Sequence, residues 1–315
     1  MAAIGILLFV VSAIFGSPIK NKLFLKCCHS ERAYLDRTIP DVRPSYKQIL
    51  IPPLCDNPTE LVWGASFALV IYQMGIAHAI CRENDNQTLL KKLRISGISG
   101  GSATAGYMMS TLYGIGDMKY WYFHHVRSIS LESSTTWSMR NWATTIWNHG
   151  YEYYRICHIL GMTEADWKCR YRIITANASG FALKILDTFP NAASFGDGIV
   201  SSSFIPFVIS PYLGFIQQDA SSGEKNVLID GGFGFDFTTY DPPNDVVHFS
   251  LQHSQTVDRT TSKYGRVHYS ILDNIDTLRD NWGIFKNPEY ADQMFDKGYE
   301  FGIRNMDEIK KMLNL

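Results

Sequence analysis

The chain has 315 residues, 46% of them hydrophobic and 19% charged, with 29 Lys and Arg against 30 Asp and Glu for a formal net charge of −1. That length can bury a sizeable core, and the composition is that of a folded protein. The near-neutral balance, with no nucleic-acid-binding motif, excludes the electrostatic footprint of an RNA- or DNA-binding protein.

In chain order, Ile4 to Phe15 is an uninterrupted run of apolar and small residues closed by Gly16, Ser17 and Pro18. It is shorter than the roughly 20 residues of a bilayer span. It resembles the apolar part of a signal peptide, with Val11-Ser12-Ala13 as a cleavage site. Lys20, Lys22 and Lys26 follow the run, so a short signal anchor is the alternative. Residues 1–17 are thus expected to make the protein membrane-associated or secreted. Residues 18–60, with Pro40, Pro44, Pro52, Pro53 and Pro58, read as an extended lead-in, and 61–315 as the main domain. Leu61–Trp63 predicts a strand and Val70–Arg82 a helix. Leu93–Ile98 predicts a second strand and Ser102–Leu112 a tightly packed helix. Met118–Leu160 reads as mostly helical and aromatic-rich. Arg170–Thr175, Val227–Ile229 and Val246–Leu251 read as strands, and Ile271–Phe285 and Pro288–Leu313 as helical. Strands alternating with helices predict an α/β layered sheet. Cys27 and Cys28 are adjacent and not expected to bridge each other, and Cys55, Cys81, Cys157 and Cys169 have no zinc-ligand or C-x-x-C spacing.

Glycine is concentrated around one serine. Gly97-Ile98-Ser99-Gly100-Gly101 fits G-x-S-x-G, the turn that lifts a nucleophilic hydroxyl off the end of a strand. Its small neighbours let strand and helix approach, and the start of the helix offers N–H groups to a developing oxyanion. A serine hydroxyl needs a base. His248 and His253 fall late in the chain, where the histidine of a Ser-His-Asp site would stand, but neither follows an acid in a glycine-bounded loop. Val227-Leu228-Ile229-Asp230-Gly231-Gly232 delivers a carboxylate from a strand into a glycine turn. Asp230 touching Ser99 can serve as the base of a two-residue site, provided burial raises its pKa.

These residues resemble the patatin-like phospholipase family. Trp63-Gly64-Ala65-Ser66-Phe67-Ala68-Leu69 through Gly75-Ile76 resembles its oxyanion loop and following helix. Gly97 to Gly101 resembles its elbow. Ser201-Ser202-Ser203-Phe204-Ile205-Pro206 resembles its A-S-x-A-x-P block, and Asp230-Gly231-Gly232 its D-G-G. Phe295-Asp296-Lys297-Gly298-Tyr299 is similar to its closing helix. The resemblance implies a three-layer αβα domain with a central, mostly parallel sheet over 61–315. It implies Ser99 as the acyl-forming nucleophile and Asp230 as its base. Gly64, Ala65 and Ser66 would supply the oxyanion loop, Gly97, Gly100 and Gly101 the elbow, and Gly231 and Gly232 the aspartate loop. It implies no cofactor and no metal, with lipid acyl esters as substrates and a membrane surface as partner. The family's G-G-G-x-[KR]-G and its Asn-x-Pro after the aspartate are altered here, so a weakly active or inactive lipid-binding protein of the same fold is the alternative. The aromatics from Tyr120 to Trp167 are expected either to form a lid or interfacial surface or to pack the core. Asn177 of the sequon Asn177-Ala178-Ser179 is expected near the site.

Overall fold

The structure, a computed structural model, describes residues 51–127, 139–159, 162–206, 214–218, 225–235, 240, 245–251, 266–270, 275–276, 279–280, 283–284 and 287–315. All of them belong to one compact unit, Val42–Leu315. The apolar run Ile4–Phe15, Cys27, Cys28, His253 and most of Ile271–Phe285 lie outside the described residues. Among the described residues, no helix is long and apolar enough to cross a membrane.

The architecture is α/β, a central sheet flanked by helices. The strands are β1 (Thr59–Trp63), β2 (Leu93–Ile98), β3 (Tyr171–Asn177), β4 (Leu183–Leu186), β5 (Phe215–Gln218), β6 (Lys225–Asp230), β7 (Val246–Ser250) and β8 (Arg266–Ser270). The helices are α1 (Val70–Arg82), α2 (Asn86–Lys92), α3 (Gly100–Leu112), α4 (Met118–Trp121), α5 (Met139–Ile159), α6 (Glu164–Trp167), α7 (Ala192–Ser202), α8 (Pro288–Arg304) and α9 (Met306–Met312). Sheet neighbours run β5-β6-β3-β2-β1-β7-β8, with β4 also on β3. The pairs β1–β2, β2–β3, β1–β7 and β7–β8 are parallel, and β3–β4, β3–β6 and β5–β6 are antiparallel.

Strand β1 is buried at every position, as expected of a central parallel strand covered on both faces. Its alternation divides the core. Leu61 and Trp63 join Ile95, Ile173, Tyr171, Val247 and Phe249 in the main apolar cluster with α1, α3, α7 and α8. Val62 joins Ile98, Ile174, Val246 and Tyr240 in a smaller cluster on the other face. Helices α1 and α8 cross backbone to backbone: a Cβ at Gly75 would strike the Phe295 carbonyl, and one at Gly298 the Tyr72 carbonyl. The Tyr120–Trp167 aromatics resolve largely as core. Trp121, Trp147, Tyr153, Tyr154 and Trp167 are all buried, and Tyr153 and Trp167 meet edge to face at 6.0 Å.

One detail of register positions the site. Strand β3 has three partners, and each residue has one partner per edge. Because β4 pairs Ile173 to Ala176, it fills one edge alone. The other edge is shared end to end, β2 pairing as far as Ile98–Ile174 and β6 beginning at Asp230–Thr175. Asp230 therefore stands where β2 would have continued had it not turned into α3.

Candidate active site

Ser99 lies between β2 and α3 at φ 55°, ψ −129°. An L-residue takes that conformation only when its surroundings impose it. They do so by closeness: a Cβ at Gly97 would strike the Gly101 backbone, and one at Gly101 the backbone of Trp63. The turn is then pinned from both sides. The Ser99 N–H donates to Ser202 Oγ at 2.8 Å, and the Ser202 hydroxyl donates onward to the Ile174 carbonyl at 2.7 Å. The Ser99 carbonyl accepts from Ser102 Oγ at 2.6 Å and Ser102 N at 2.9 Å. The first N–H groups of α3, which have no intrahelical acceptor, and its positive dipole end lie directly beside Ser99.

Asp230 ends β6 and is fixed as tightly. Its N–H donates to the Phe204 carbonyl at 2.8 Å, and its Oδ1 accepts from Gly232 N at 2.8 Å. On the facing strand, the Thr175 hydroxyl donates to the Ile229 carbonyl at 2.7 Å. Gly231 fits between Ile98 and the Ile174 carbonyl, where a side chain would clash. Asp230 is 4% exposed and Ser99 is 6% exposed. Burial pushes the Asp230 carboxyl up to about 6, while hydrogen bonding to the Ser99 side chain and the Gly232 N–H draws it back toward its ordinary range. The structure thus brings together the serine and the carboxylate that the sequence singled out.

The loop after β1 completes the arrangement. The Gly64 N–H is used by the sheet, donating to the Phe249 carbonyl at 2.8 Å, and the Gly64 carbonyl accepts from the buried Gln73 side chain at 2.9 Å. The next two amides, of Ala65 and Ser66, have no acceptor among the described residues. Both residues abut the other two loops: a Cβ at Gly232 would lie 3.3 Å from Ala65 Cβ, and one at Gly100 would lie 2.6 Å from Ser66 Oγ. The Ser66 hydroxyl is buried and has no hydrogen-bond partner among the described residues. Phe67 takes φ 51°, so the loop keeps a glycine-type conformation on a side chain that resists it.

The structure gives roles to residues beyond the dyad. In the sequence Ser202 stands out only as part of the Ser201–Pro206 block and Thr175 not at all; their roles depend on α7 and β6 reaching β3. His248 sits on β7, its Nε2 2.7 Å from where a Gly64 Cβ would be, with Phe235 edge-on at 5.0 Å. Asn177 ends β3, and its side-chain oxygen accepts from Ser179 N at 3.0 Å and Ser179 Oγ at 2.8 Å, engaging both ends of that sequon.

No protein-family model matches the chain, and no curated protein matches it. Solved structures with a distant likeness to it include the following two. VipD from Legionella pneumophila is 11% identical, with a TM-score of 0.41 covering 88% of this chain and 73% of that one. A chain of the heterodimeric ExoU–SpcU complex from the type III secretion system of Pseudomonas aeruginosa is 16% identical, with a TM-score of 0.40 covering 90% of this chain and 62% of that one. Likenesses this distant carry no weight for function.

Proposed function

We propose that the protein is a serine hydrolase of lipid acyl esters working through a Ser99–Asp230 dyad. One observation carries this reading: a strained serine at a strand-to-helix turn is paired with a buried aspartate whose pKa is raised to about 6. A carboxylate poised near neutral pH is a competent general base. Ser99 Oγ attacks the ester carbonyl carbon while its proton passes to Asp230. The oxyanion is held by the amides of Ala65 and Ser66, with the N-terminus of α3 adding its field. Collapse breaks the ester C–O bond, and Asp230 returns the proton to the departing alcohol. A water then attacks the acyl-serine, Asp230 again taking the proton, and the acid leaves with Ser99 restored. Every proton has a station, and the residues require no further group. The buried, apolar setting of the dyad and the resemblance noted in the sequence support a lipid acyl chain as the substrate. The apolar run near the N-terminus supports a membrane location.

The replacement of loop glycines by Ala65, Ser66 and Phe67 favours a second reading, lipid binding without turnover. Fluorophosphonate labelling of the full chain in detergent separates the two. Wild type should label, while Ser99→Ala and Asp230→Asn should not. A folded but unlabelled wild type would leave lipid binding as the function.

A further inference from the structure

We infer that the β3–β4 hairpin, led by Phe181, is the surface through which this protein docks on a phospholipid bilayer. Large apolar side chains are scarce on the described surface: Phe123, Phe181, Ile185 and Ile303 are the exposed ones, and two of them share this hairpin. Phe181 is 50% exposed at its tip, and Ile185 is 40% exposed on β4, whose other edge has no described partner strand. Phe181 also holds φ 56°, a conformation that favours glycine. A phenylalanine that is both strained and turned into water gains nothing for the fold, and strain of this kind collects at functional segments.

The tip is built to hold that pose. The Phe181 N–H donates to the Asn177 carbonyl at 2.8 Å, and the Ala178 N–H donates to the Val227 carbonyl of β6 at 2.8 Å. The exposed Lys225 lies two residues before Val227 on that strand. An aromatic ring with a lysine on the adjoining strand suits an interface of acyl chains and anionic headgroups. The hairpin is also continuous with the active site. The Phe181 carbonyl fills the space beside Gly234, in the turn that begins at Asp230. A bilayer met by Phe181 would thus lie against the aspartate loop. Of the Tyr120–Trp167 aromatics that the sequence offered for this role, Trp121, Tyr122, Trp147, Tyr153, Tyr154 and Trp167 are buried, and this hairpin takes their place.

The inference rests on the lipid-hydrolase reading for its purpose, but its test does not use catalysis. The full chain carrying Ser99→Ala is mixed with vesicles of phosphatidylcholine and phosphatidylserine at about 4:1. Trifluoromethyl-phenylalanine is placed at position 181 or, as a control on another surface, at 123. With a nitroxide-labelled lipid present, the fluorine signal at 181 should broaden at least severalfold more than that at 123. Phe181→Gly, which suits φ 56° and so spares the fold, should weaken vesicle co-sedimentation several-fold. Equal broadening at 181 and 123, or no vesicle binding, would overturn the inference. So would a protein dimer that Phe181→Gly dissociates, since a second copy would then cover the hairpin. Vesicle contact at 181 in a protein that never labels with fluorophosphonate would instead leave the docking surface standing and remove the hydrolase.

Discussion

The two residues of the proposed dyad each carry a cost to the fold. Ser99 sits at φ 55°, where a Cβ is penalised and glycine is not. Ser99→Ala and Ser99→Gly both remove the hydroxyl, but only glycine removes the strain. Ser99→Gly should therefore unfold at higher denaturant than Ser99→Ala, by about 1 kcal/mol, with both unlabelled by fluorophosphonate. Asp230 is penalised by burial. Its folded pKa of about 6 lies above the ordinary 3.8, so the folded state holds its proton more tightly than the unfolded chain. Stability from this group is fully present below the unfolded value and is lost as pH rises through 6. Catalysis runs the other way, because only the ionised carboxylate accepts the serine proton. The rate constant for labelling should climb between pH 5 and 7 with a midpoint near 6. At pH 8, Asp230→Asn should be more stable than wild type, by about 2–3 kcal/mol, and inactive. An Asp230→Asn protein less stable than wild type at pH 8 would show that the carboxylate is not penalised by its site.

At the scale of elements, legibility followed burial. β1, β2, β3, β6 and β7 are apolar runs because neighbours cover them, and such runs stand out in a sequence. β4 and β5 do not: Leu183-Lys184-Ile185-Leu186 and Phe215-Ile216-Gln217-Gln218 are short, and their strand form is set by pairing with β3 and β6. Helix α7 is masked by Gly196 and Gly198, although Asn191 and Ser194 form a reciprocal cap at its start. The stretch read as one helix from Pro288 breaks at Asn305 into α8 and α9. The proposed dyad, Ser99 and Asp230, stands out in the sequence because glycine marks both turns. The role of Ser202 within the Ser201–Pro206 block does not, because it depends on α7 lying against β3 and β6. The Ser202 hydroxyl joins the Ser99 N–H to the Ile174 carbonyl, so α7 holds Ser99, the proposed nucleophile, in place. Ser202→Ala leaves both partners buried and unsatisfied, a loss of about 1–3 kcal/mol in stability. As a positioning residue it should slow labelling by about tenfold while the pH midpoint stays where Asp230 sets it. A midpoint that moved with Ser202→Ala would instead place Ser202 in the proton path.

Across the whole molecule, the sheet carries two buried polar clusters, the proposed dyad and a network around Glu60. Ser99 and Asp230 occupy the end where β2 stops. Further back along the strands, the buried Glu60 carboxylate of β1 accepts from Tyr240 OH at 2.7 Å and, at 2.5 Å, from the Oγ of Ser96, three residues before Ser99 on β2, with Arg172 at 3.4 Å and Arg94 at 4.0 Å. Two guanidiniums and two hydroxyls around one carboxylate resemble a catalytic cluster, yet their geometry points to structure. Each carboxylate oxygen is engaged, and the network ties β1, β2 and β3 to Tyr240, which packs on the smaller core cluster. Buried ion pairs of this kind are costly to break from one side, because the remaining charges lose their partner. Glu60→Ala should therefore lower the unfolding free energy by about 3–5 kcal/mol. Its folded fraction should label with fluorophosphonate at the wild-type rate and with the wild-type pH midpoint, because the hydrogen bonds and ion pairs of Glu60 reach neither Ser99 nor Asp230. A slower rate in that folded fraction would mean that strain at the network reaches the elbow, and Glu60 would then belong to the machinery that positions Ser99.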